Sequence, residues 1–99
     1  MASVSLKSVN FEVFGRVQGV FFRKHTQSTA KKLGLMGWVE NTNKGTVVGC
    51  VEGPGDKVST MKTWLRETGS PESLIEKCVF TNEKDIDRPS FQKFGVRGF

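Results

Sequence analysis

Between Ser8 and His25 the chain changes its hydrophobic period, and that change limits the folds open to it. Val9, Phe11 and Val13 alternate with Ser8, Asn10 and Glu12, the period-two pattern of a strand with one buried face. The run stops at Gly15. From Phe22 the apolar positions Phe22, Thr26, Ala30 and Leu33 fall on one side of a helix, and Gly34 is placed to cap its end. A strand that passes through a short glycine loop into a helix calls for a layered sheet-and-helix fold.

The rest of the chain continues in kind. "LMGWVEN" and "TVVGCVEG" read as the arms of a β-hairpin whose turn uses Asn43, Lys44 and Gly45. A second helix is predicted in "GPGDKVSTMKTWLRETGSP", with Pro54 at its first position and Val58, Met61, Trp64 and Leu65 as its stripe. Gly69 and Pro71 end it. "LIEKCVFTNEK" (74–84) and "FQKFGVRGF" (91–99) read as two further strands, and Pro89 before the last one suits a strand start or an edge. The order βαββαβ plus a fifth strand is a repeated split βαβ unit. It predicts a ferredoxin-like α/β sandwich of the α+β class, with two helices on one face of a mainly antiparallel sheet. Residues 1–99 are expected to form a single domain, because dividing 99 residues would leave two marginal cores. Residues 1–6 are expected to be a flexible N-terminal tail.

Composition narrows the function classes. The opening "MASVSLKS" has no long apolar block, so neither a signal peptide nor a membrane span is expected and the reading is cytoplasmic. Cys50 and Cys78 form no CxxC pair, which favours two reduced core thiols. With His25 the only histidine, a zinc site is not expected. The net charge of +5 points to an anionic partner. The basic residues are scattered, with Lys31-Lys32 the longest run, and the aromatic consensus of RNA-recognition domains is missing from the central strands. A nucleic-acid partner is therefore not expected.

Topology gives the glycine loop its interest. The helical crossover makes the first two strands parallel, with the third between them. Their C-terminal ends then share one rim of the sheet, which brings Asn41 to the segment 15–20. Gly15 and Gly19 permit backbone angles from which successive N–H groups can converge on an anion. The following helix adds its positive N-terminal end. Arg23 in the first helical turn opposes the helix dipole at a cost of about 0.3–1 kcal/mol, which a bound anion would offset. Its guanidinium can grip two phosphate oxygens at once. No Gly-Lys-Ser/Thr and no GxGxxG follows, so the loop is neither a Walker A nor a dinucleotide fingerprint and supports no nucleotide-binding reading. Spacing alone leaves a plain glycine turn equally open.

"GRVQGVFFR" at 15–23 and "GWVENTNKGTVVGCVEG" at 37–53, with "GSP" at 69–71 and "TNEK" at 81–84, resemble the acylphosphatase family across nearly the whole chain. The resemblance implies hydrolysis of the carboxyl–phosphate bond of acyl phosphates without a metal or other cofactor. By motif position it makes Arg23 the phosphate-binding arginine and Asn41 the residue that positions the attacking water. Gly15, Arg16, Val17, Gln18, Gly19 and Val20 become the phosphate-binding loop. The implied ligands are a small acyl phosphate and its product, inorganic phosphate, as a competitive ligand, and the implied state is a monomer.

Other residues are read more plainly. His25 lies two positions from Arg23 and faces elsewhere on the helix. Trp38, Trp64, Met36 and Met61 are expected to pack, and the Gln18 side chain to hold the loop's shape. Glu40 departs from the family, which usually carries a basic or uncharged residue there. It should point away from the Asn41 side chain, and its charge is expected to weaken substrate binding somewhat. Gly95 and Gly98 weaken the last strand.

Overall fold

The computed structural model describes residues 5–98. Its elements run β1 (Leu6–Arg16), α1 (Phe22–Lys32), β2 (Met36–Asn41), β3 (Val47–Pro54), α2 (Gly55–Thr63), β4 (Leu74–Ile86) and β5 (Phe94–Arg97). The five strands form one sheet in the order β4-β1-β3-β2-β5. Every neighbouring pair is antiparallel except β2 with β5, which is parallel. α1 packs over β2 and β5, and α2 over β1 and β3, so both helices cover the same face. This is the ferredoxin-like α+β sandwich that the order of elements predicts.

The core follows from the two periods. Val9, Phe11 and Val13 on β1 and Val47 and Val51 on β3 are buried beneath the helices. Phe22, Thr26 and Ala30 are the buried face of α1, and Leu33 packs at its margin. Thr26 satisfies its hydroxyl by donating to the Phe22 carbonyl at 2.7 Å. Met61 and Leu65 are fully buried, each such side chain contributing about 1.5–3 kcal/mol by leaving water. Trp64 packs against Phe22 with ring centroids 5.6 Å apart. Cys50 and Cys78 carry free thiols, and burial pushes both up, Cys78 to about 12.

Several boundaries differ from the sequence reading. Leu6, expected in the tail, opens β1 and pairs with Pro54 and Ile86, while residues 1–4 lie outside the described residues. Pro54 is the last residue of β3 and precedes α2, because its extended ψ of 136° keeps it in the ladder. After Thr63 the helix widens into one π-helical turn, Trp64–Thr68, closed by the Gly69 N–H on the Trp64 carbonyl at 2.9 Å. β4 continues to Ile86. β5 is confined to Phe94–Arg97, since Gly98 turns away at φ 77°.

The registers fix which residues meet at the rim. Val13 and Asn41 both pair with Val47, one from each side of β3. The C-terminal ends of β1 and β2 therefore stand level at one edge of the sheet. β5 runs parallel to β2 with Arg97 opposite Glu40, which brings a third C-terminal end to that edge.

Candidate active site

At this rim lies an open cavity of about 470 Å³, lined by Val17, Gly19, Phe21, Phe22, Arg23, Lys24, Gln27, Asn41, Val96 and Gly98. It draws on the β1–α1 loop, the first turns of α1, the end of β2 and the end of β5. Two of its side chains are cations and none is a carboxylate.

The loop that feeds it is shorter than 15–20. Gly15 and Arg16 belong to β1, where Gly15 pairs with Ile75 and Arg16 with Leu74 across a bulge that leaves Glu76 extra. Gly15 has φ +125°, and a Cβ there would stand 2.1 Å from the Leu74 carbonyl oxygen. This strand contact by itself requires glycine at position 15. Gly19 is the opposite case, with φ +75° and open space where a Cβ would point. Among the described residues, no hydrogen bond engages the backbone N–H groups of Val17 to Phe21, so the bend from 17 to 21 leaves its donors available.

The other expected loop residues divide by task. Val17 and Val20 bury their side chains and anchor the bend to the core. Gln18 stays out of the cavity. Its Nε2 donates to the Thr42 carbonyl at 2.8 Å and to the Thr46 carbonyl at 2.9 Å, which ties the loop to the turn just beyond Asn41. That turn is braced in its own right. Thr42 and Thr46 share a 2.6 Å hydroxyl contact, and Thr46 Oγ1 donates to Glu12 Oε2 at 2.7 Å. That bond, with Lys44 at 3.2 Å, holds the Glu12 carboxyl below the usual range against the opposing effect of burial.

Arg23 and Asn41 line the same cavity, as the topology predicts. Arg23 Nη1 donates to the Arg97 carbonyl at 2.9 Å, so β5 steadies the guanidinium, whose other donors have no hydrogen-bond partner among the described residues. Asn41 Oδ1 is buried without a hydrogen-bond partner among the described residues. A buried acceptor left unpaired costs about 1–3 kcal/mol, a cost that a bound donor such as water removes. The first turn of α1 contains no acidic residue and two cations, Arg23 and Lys24. Two cations at the positive end of a helix are mutually unfavourable unless an anion sits between them and the amides.

Lys24, Gln27, Phe21 and Val96 also line the cavity and were not singled out from the sequence. Gln27 lies four residues after Arg23 on the same helical face, a spacing that identifies it, and its Nε2 donates to the Phe94 carbonyl at 3.0 Å. Nothing local marks Val96, because its place depends on the β2–β5 pairing. His25 lies outside the lining, consistent with its spacing from Arg23. Glu40 points away from the cavity and reaches Arg97 Nη1 at 3.9 Å, while the Arg97 guanidinium stacks 4.3 Å from the Trp38 ring. No group of His, Cys, Asp or Glu side chains suited to holding a metal occurs among the described residues.

A βαββαβ sandwich with paired cations, open amides and an unmatched amide oxygen at one rim defines a small ferredoxin-like α+β protein with a cavity suited to an anion. The acylphosphatase family model matches residues 9–95. The chain is 57% identical over 96 residues to acylphosphatase-2 of Gallus gallus, covering 97% of this chain and 93% of that protein. It is 56% identical over 93 residues to acylphosphatase-2 of Homo sapiens, covering 94% of each. The solved acylphosphatase of Bacillus subtilis superposes with a TM-score of 0.85 at 32% identity, over 93% of this chain and 99% of that one. The chain belongs to the acylphosphatase family, and its activity is that of an acylphosphatase, a hydrolase of acyl phosphates. No helix among the described residues is long and apolar enough to cross a membrane.

Proposed function

We propose that the bend from Val17 to Val20 and Arg23 hold the phosphate of an acyl phosphate, and that Asn41 positions the water that attacks it. The observation that carries this reading is the buried Asn41 Oδ1, without a partner among the described residues, in the same cavity as Arg23. The oxygen accepts a hydrogen bond from water and fixes its approach opposite the leaving carboxylate. Attack forms the new P–O bond as the bond to the acyl oxygen breaks, releasing a carboxylate and inorganic phosphate. The proton of the water passes to a phosphate oxygen, so no side-chain base is required. A carboxylate leaves readily, so no general acid is required either. Arg23 and the loop amides meet the charge on the equatorial oxygens.

In this reading the protein works as a cytoplasmic monomer on small acyl phosphates, without a metal, and inorganic phosphate competes with substrate. Arg23→Gln is expected to raise KM for benzoyl phosphate and lower kcat. The combined loss in kcat/KM is on the order of 10²–10³-fold, read by absorbance with chelator present. Inorganic phosphate should inhibit the parent protein competitively and the variant far more weakly. Equal phosphate inhibition of both proteins would remove Arg23 from the phosphate site.

A further inference from the structure

The cavity is larger than a phosphate needs. Five heavy atoms fill on the order of 150 Å³ at the roughly 30 Å³ each that a water occupies in the liquid. A cavity of about 470 Å³ leaves room for much of an acyl group as well. Two of the residues lining it are apolar and exposed, Phe21 at 67% and Val96 at 40%.

Phe21 is unfavourable in two ways that its own packing does not relieve. It sits in the left-handed region at φ 59° and ψ 26°, where a side chain other than Gly, Asn or Asp is strained. That backbone turn carries its ring out toward water at the start of α1, although the neighbouring Phe22 is buried. No side-chain cap compensates at this position. Strain of this kind at a ligand cavity points to use of the residue there. Val96 reaches the cavity from β5, next to the Arg97 carbonyl that holds Arg23. The exposed apolar pair therefore lines the same cavity as Arg23, the residue proposed above to hold the phosphate.

We propose that Phe21 and Val96 form the wall against which the acyl group packs, so that the enzyme favours acyl phosphates with an aromatic or bulky apolar acyl group over acetyl phosphate. The proposal rests on the phosphate being held by Arg23 and the loop, because only that orientation turns the acyl group toward the pair. The contact is made in ground state and transition state alike, so its loss acts mainly through KM.

The test is the ratio of kcat/KM for benzoyl phosphate to that for acetyl phosphate, measured on the full chain. Phe21→Asn keeps a residue that tolerates the left-handed region and removes the ring. It is expected to lower the ratio about tenfold, chiefly through KM for benzoyl phosphate, the size of effect a hydrophobic pocket commands. The same variant should raise Tm, because strain is relieved and little burial is lost. Val96→Ala should lower the ratio by a smaller factor. Leu74→Ala, which removes an exposed side chain outside the cavity, should leave it unchanged. An unchanged ratio in Phe21→Asn and Val96→Ala overturns the wall, as does a fall in Tm with equal loss on both substrates. Competition by inorganic phosphate in the parent protein separates the two claims. If it persists while the ratio is unmoved, only the wall fails; if it is absent, the phosphate reading fails first.

Discussion

The two glycines of the β1–α1 segment are constrained by different neighbours, and substitution separates them. At Gly15 a Cβ would collide with the Leu74 carbonyl oxygen, and the backbone would be strained as well. Gly15→Ala is therefore expected to cost roughly 2–5 kcal/mol, combining overpacking with a disfavoured φ. A denaturant titration would show it as a lower midpoint. Gly19→Ala meets no atom and carries only the φ penalty of about 1–2 kcal/mol, while altering the bend proposed to hold phosphate. Its larger signature should be a raised KM. The sequence shows both glycines and their spacing, but Gly15 owes its identity to a strand far along the chain. Arg23 and Asn41 were legible because a crossover and a hairpin fix where strand ends fall. The role of the Arg97 carbonyl was not, since it depends on which residue ends β5. Glu40 illustrates the same limit: its outward direction followed from strand alternation, whereas its partner Arg97 came from the parallel β2–β5 register.

At the scale of elements, the site is a junction of a loop, a turn and an edge strand, and Gln18 joins two of them. Its Nε2 reaches both the Thr42 and Thr46 carbonyls, directly beyond Asn41. Gln18→Ala leaves those carbonyls to other partners and frees the turn to shift. The expected result is a loss of about 1–3 kcal/mol and a fall in kcat larger than any change in KM. Gln18→Glu should behave alike, because a carboxylate cannot donate to either carbonyl. Steady-state kinetics with thermal melts on both variants would check this. Periodicity sufficed for the helices and for β1 and β2, whose alternating burial leaves a clear pattern, while central β3, buried on both faces from Gly49 to Gly53, was legible through its hairpin turn. It sufficed less for β5, where Phe94 is buried but Gly95 and Gly98 carry no pattern, and the strand closes after Arg97. The π-helical turn at Trp64–Thr68 keeps Trp64 and Leu65 on the core, and the helical stripe alone does not distinguish it from a continued α-helix.

For the molecule as a whole, pH and phosphate should both act on stability through groups already named. The Glu12 carboxyl lies below its ordinary value because Thr46 donates to it, with Lys44 adding to the effect. A depressed carboxyl contributes stability above its unfolded value, and that contribution is lost as pH falls through the folded one. Thr46→Val should therefore be destabilised relative to the parent at pH 7, and the part of that gap due to Glu12 should close as pH drops below the ordinary carboxylate range. Urea titrations of both proteins across that range would reveal a gap that fails to narrow if Glu12 is not the group involved. A ligand that binds only the folded protein stabilises it by about 2.7 kcal/mol at a hundredfold excess over Kd. Inorganic phosphate should raise Tm accordingly in the parent and much less in Arg23→Gln.

Whether Asn41 holds the attacking water is decided by benzoyl phosphate hydrolysis in Asn41→Ala. The side chain lines an open cavity, so the variant should fold, which a melt alongside the assay verifies. Turnover is expected to fall on the order of 10²–10³-fold, the usual loss for one reaction-centre hydrogen-bonding group, with KM and phosphate inhibition close to those of the parent. A folded Asn41→Ala protein that turns over benzoyl phosphate at the parent rate would contradict it.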